Sequence, residues 1–314
     1  MRFRAWPGRG ACLVLLSGAG LGAQAARAPA ASAADVAILQ GRLDDAEQEL
    51  FAASSRAAHE PSARGALGMF LASRGRLKVG AVLLEEAREF GGDASVIDAR
   101  LARIYAWLGD WTAVAALKHY APAGPEHDRA RWLAAHTPVR SGPDSVMVAL
   151  EPNEMAGLGR IELTIGRATM QADIDPDIEG LVLPSSPDVS GESQQFGMRD
   201  SASVAVVFGV RIGTMRLTNV QARLSPAARP AIGLDVLAAL TPTFDAGAHL
   251  LTLRQRAAAS SGDPLPILLS FPGVKFVARA GQPPVAIGSA AGGAALRGAR
   301  WTFDVRRGAI VVQR

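Results

Sequence analysis

Ala172-Asp173-Ile174-Asp175-Pro176-Asp177-Ile178-Glu179-Gly180-Leu181-Val182-Leu183 sets an acidic, proline-containing turn directly before an apolar strand. Asp and Pro are turn formers, so Asp175-Pro176-Asp177 reads as the bend and Leu181-Val182-Leu183 as a buried strand. The surroundings are strand-like too. Arg160 to Ile165 and Thr214 to Thr218 alternate polar with apolar, and Val204 to Val210 is a short apolar run. Gly157, Gly159, Gly166, Gly180, Gly209 and Gly213 punctuate them. Short strands with closely spaced turns predict an all-β barrel or sandwich from about Val146 onward.

A second stretch, Ala231-Ile232-Gly233-Leu234-Asp235-Val236-Leu237, leads into Thr243-Phe244-Asp245 and Leu250-Leu251-Thr252-Leu253. The order and separation of the two stretches resemble a retropepsin-like aspartic protease domain over residues 146–255. The resemblance implies an acid-protease barrel, peptide-bond hydrolysis by an aspartate dyad, and Asp175 as the catalytic carboxylate. It makes Asp235 a structural acid at a helix start and Ser190 to Asp200 the flap. One such domain supplies one aspartate, so the dyad implies a homodimer through the β domain. The local residues depart from the family's Asp-Thr/Ser-Gly. Pro176 stands where a hydroxyl residue would brace the dyad, and it has neither hydroxyl nor N–H. Asp177 replaces a glycine and adds a charge that disturbs a shared proton. Three readings stay open: an aspartic-peptidase-like hydrolase, a catalytically inactive retropepsin-like module that binds a peptide or protein, and a pure scaffold that needs no chemistry in the β domain. For Asp175 the plain alternative is a surface turn acid.

Upstream the chain changes character. Gly41, Gly75 and Gly109 fall at 75 − 41 = 34 and 109 − 75 = 34 residues. Two residues after each comes a large apolar side chain, Leu43, Leu77 or Trp111. Small residues follow at further matching positions (Ala53, Ala87, Ala121). The period and the helix-face spacing resemble tetratricopeptide repeats, each a helical hairpin with a turn that uses positive φ. This predicts an α+β multidomain chain: a tetratricopeptide-like helical domain over 35–136, the β domain over 146–255, and a β extension over 256–314. A last short helix is expected over Asp128–Ala135. Within the extension, Thr302-Phe303-Asp304 and Ala309 to Val312 echo the hairpin at Thr243–Leu253.

The 314 residues and 49% apolar content suffice for a two-domain core. Residues 1–33 read as a signal peptide, with Arg2 and Arg4 before an apolar Ala11–Leu21 and small residues around Ala25 and Ala33. A secreted or periplasmic location is therefore expected, with no membrane attachment after cleavage. Cys12 is the one cysteine and would leave with the signal. No cofactor and no metal are expected, since the spacings of His119, His127 and His136 fit no common ligand motif. The net charge of +4 comes partly from the chain ends, without a basic-aromatic run, so no nucleic-acid role is expected.

Overall fold

The computed structural model describes residues 32–313, apart from 122, 153–157, 257–261, 272 and 280. Residues 1–31 of the segment expected as a signal peptide and Gly157 lie outside the described residues, while Ser32 and Ala33 cap and start the first helix. Among the described residues seven helices come first: α1 (Ala33–Leu39), α2 (Leu43–Arg56), α3 (Pro61–Ser73), α4 (Leu77–Glu89), α5 (Ala94–Leu108), α6 (Trp111–Ala116) and α7 (Pro125–Ala135). Their starts are written locally. Ser32 and Asp35 form a reciprocal cap on α1, Asp93 accepts from Ser95 and Val96 at α5, and Pro61 and Pro125 occupy first-turn positions where no N–H is needed. That proline starts α7 three residues before the expected Asp128.

The 34-residue spacing is realised as geometry. Gly41, Gly75 and Gly109 have φ of 68°, 80° and 73°. At each turn the glycine N–H bonds a carbonyl three residues back, and the next N–H bonds one five residues back. Leu43, Leu77 and Trp111 then open the following helices and are all buried.

The β region runs β1 (Val139–Ser141), β2 (Ser145–Ala149), β3 (Arg160–Ile165), β4 (Ala168–Asp175), β5 (Leu181–Leu183), α8 (Pro187–Gly191), β6 (Ser193–Arg199), β7 (Ala202–Val207), β8 (Val210–Ile212), β9 (Met215–Thr218), β10 (Val220–Leu224), β11 (Ala231–Gly233), α9 (Leu234–Ala238), β12 (Thr243–Asp245) and β13 (Leu250–Arg254). The extension adds β14 (Asp263–Leu269), β15 (Val274–Phe276), β16 (Val285–Ala286), α10 (Ala290–Leu296), β17 (Arg300–Asp304) and β18 (Ala309–Gln313). One sheet has the order β1-β9-β8-β3-β4-β11-β5-β10-β7-β6, the other β16-β15-β14-β18-β17-β12-β13-β2. A helical N-terminal region thus precedes a β-rich region with a curled sheet, an arrangement compatible with a retropepsin-like fold. The β region begins earlier than the expected Val146, because Val139–Ser141 pairs with β9 as strand β1.

Ser32–Arg314 makes one compact unit, and one apolar core runs through both helices and sheets. A second cluster joins Leu43, Leu67 and Phe70 to Leu268 and Val277 of the extension. The polar stretch expected as a flap forms α8 and a β6–β7 hairpin. Asp200 and Ser201, both at positive φ, make its two-residue tip. The hairpin is pinned to α7 by an Arg199–Glu126 ion pair at 2.7 Å and by Phe196 against Trp132.

Candidate functional site

Asp175 is the last residue of β4, opposite Gly233 in the parallel β4–β11 ladder. It is half-buried, and its Oδ1 accepts the Asp177 N–H at 2.8 Å, the local bond expected of a turn acid. Gly233 lets the loop close in, since a methyl there would lie 2.6 Å from the Ile178 carbonyl oxygen.

Asp235 holds the other end of this loop. Both its carboxylate oxygens accept the Gly180 N–H, at 3.0 and 2.9 Å, and Oδ2 also accepts from Gln221 Nε2 at 3.0 Å. Its pKa is raised to about 6 because desolvation outweighs these bonds, with Glu179 adding to the rise. It anchors the loop from the first turn of α9, as a structural acid would.

The extension decides what faces Asp175. Its hairpin repeats the earlier one position for position. Thr243 lies opposite Thr302 across the β12–β17 pair, their hydroxyls 2.9 Å apart. Asp245 Oδ1 accepts the Ala248 N–H and Asp304 Oδ1 accepts the Arg307 N–H, each three residues on. Four residues after each acid the chain turns left-handed, at His249 (φ 54°) and Gly308 (φ 62°). Ahead of each hairpin stands the same tripeptide. Ala231-Ile232-Gly233 runs antiparallel to β5, with Ala231 opposite Val182. Ala286-Ile287-Gly288 runs antiparallel to β15, with Ala286 opposite Lys275. Each strand leads to a short helix, α9 or α10. The extension is therefore a reduced second β half, which the hairpin echo hinted at and the repeated Ala-Ile-Gly could have revealed.

This second half closes on the Asp175 loop. A methyl at Gly288 would lie 2.9 Å from Pro176 Cγ. One at Gly273 would lie 2.6 Å from Ser270 Oγ and 3.2 Å from Asp177 Oδ1. Gly273 and Gly288 of the extension thus cover this face of the Asp175 loop. After Arg256 the sequence holds two carboxylates, Asp263 and Asp304, and neither is at this contact. The side of β12 away from β13 is taken by β17. The described residues include no group of His, Cys, Asp and Glu arranged to hold a metal, and no helix among them is long and apolar enough to cross a membrane.

No known family model matches the chain, and no curated protein matches it. Among solved structures, the crystal structure of a retropepsin-like aspartic protease from Rickettsia conorii aligns with 37% of this chain and 92% of that chain, at 12% identity and a TM-score of 0.27. So distant a likeness decides nothing about chemistry.

Proposed function

We propose that the protein is an exported, non-catalytic binding protein on a retropepsin-like frame, with tetratricopeptide-like hairpins as its scaffold. One observation carries this reading: the Asp175 loop faces a second half of the same chain that brings no carboxylate to it. Acid-protease chemistry needs two carboxylates sharing one proton, one to take a proton from water and one to give a proton to the leaving amide. Here Asp175 accepts a backbone N–H within its own turn, and Pro176 is buried against Gly288. A homodimeric dyad would have to displace the chain's own second half. Peptides or proteins are the ligands proposed.

The test is direct. Purified protein incubated with a diverse peptide library between about pH 3 and 7, where a carboxylate dyad can hold one proton, should yield no cleavage. Cleavage that disappears in Asp175→Asn would overturn the reading and restore the peptidase. Pro176→Thr with Asp177→Gly should remain inactive, because that change supplies no second carboxylate.

A further inference from the structure

The three equivalent helical turns differ in what covers them. At Gly41 the turn seats on the Gln282 carbonyl, and at Gly75 on the Val305 carbonyl and Gly308. At Gly109 nothing lies within 4 Å of where a methyl would be. That third turn opens onto a groove of about 870 Å³, a volume within the range of ligand sites. Its walls are the start of α4, the end of α5, β1, the β9–β10 junction and α9.

The groove's unpaired charges are of one sign, since Arg76 on its wall is paired with Glu47. Lys78, Arg140 and Arg306 line it, and none has a carboxylate partner among the described residues. Arg140 donates to the Ala239 carbonyl, and both burial and the neighbouring Arg306 cation lower its pKa. The lining acid, Asp235, is engaged with Gly180 and Gln221. The groove is also apolar and edged. Val79 is 50% exposed and Val139 is 56% exposed within it. Val139 and Arg140 belong to β1, the terminal strand of its sheet. Unmatched cations call for an acidic partner. A free strand edge beside exposed valines calls for an extended backbone with side chains on alternate faces.

We infer that this groove binds an acidic, extended peptide segment that adds to the β1 edge, with its carboxylates toward Lys78, Arg140 and Arg306. No residue of the Asp175 loop lines the groove, although Asp235, which holds that loop at Gly180, does. The inference deepens the binding-protein reading and rests on it.

The probe is an end-capped, fluorescein-labelled octapeptide of alternating glutamate and threonine, followed by anisotropy at low salt. A lysine–threonine peptide and a single-stranded oligonucleotide are its comparators. The Glu–Thr peptide should bind saturably, weaken as salt is raised, and weaken at least about tenfold in Arg140→Glu/Arg306→Glu. Lys78→Glu should weaken it as well and covers the case in which the double variant fails to fold. Arg297→Glu, exposed and outside the groove, should not alter it. Equal binding of the Lys–Thr peptide, no binding by folded protein, or indifference to the groove reversals overturns the inference. Tighter oligonucleotide binding, lost in the same variants, overturns it in favour of a nucleic-acid site. Cleavage of the bound Glu–Thr peptide would sink the non-catalytic reading and leave the groove assignment standing.

Discussion

The two β halves share a frame and differ at their loops. In the first, β4 delivers Asp175 into an acidic turn that ends at Gly180, which Asp235 holds from below. In the second, β14 leads straight into Ser270-Phe271-Pro272-Gly273, and the residue two places after Gly288 is Ala290, not an acid. The hairpins, the Ala-Ile-Gly strands and the left-handed turns match because they make the shared core, where packing tolerates little change. The loop positions touch solvent and each other, and there the second half has neither carboxylate nor anchor.

Deleting side chains at matched core positions tests this comparison most forcefully. Phe244 and Phe303 are 1% and 0% exposed, so Phe244→Ala and Phe303→Ala should each cost about 3–5 kcal/mol. Urea unfolding should show one transition lowered alike by both. A separate early transition for Phe303→Ala would make the second half an appendage and break the equivalence.

Next come the turn glycines. Gly75→Ala and Gly308→Ala each place a methyl against backbone at positive φ, and should cost about 2–3 kcal/mol. Gly109→Ala meets open space and carries only the φ penalty, about 1 kcal/mol. Equal losses in thermal melts at all three sites would mean that the second half does not seat on the helices.

The anchor acid gives a smaller, pH-dependent effect that the second half cannot show. Asp235 has a folded pKa of about 6, above the ordinary aspartate value of 3.8, so the folded state binds the extra proton between those values. Its contribution is therefore most favourable below about pH 4 and is lost as pH rises through 6. The hydrogen bonds from Gly180 and Gln221 offset part of the desolvation, so the loss is on the order of 1–2 kcal/mol. Asp235→Asn should flatten that part of the stability–pH curve, with Gln221 turning its amide to keep the bond.

The smallest effect sharpens the chemistry. Ser270→Asp adds a carboxylate beside Asp177 and should destabilise by about 1 kcal/mol at pH 7, an effect relieved near pH 4. Cleavage activity appearing in that variant would show that the two loops still meet as a dyad requires.

Much of the frame was legible. Positive φ after a helix narrows the choice to glycine, so Gly41, Gly75 and Gly109 announced their turns, and Leu43, Leu77 and Trp111 the helices that follow. Asp175 at a strand end and Asp235 at a helix start were readable from the apolar segments beside them. The rest depends on partners distant in sequence. β1 has three exposed residues and no apolar pattern, and exists because β9 lies alongside. The second half was visible as a hairpin echo, but Ala-Ile-Gly is too short to stand out in an alanine-rich chain. The groove's cations, Lys78, Arg140 and Arg306, come from three segments that only the fold brings together.

Gly75 and Gly308 lie against each other's backbone across 308 − 75 = 233 residues, and the first hairpins complete their core on Leu268 and Val277. The N-terminal hairpins thus complete their packing only when the strands of the extension are in place. Contacts this distant in sequence slow folding, because loop-closure entropy is lost before they form.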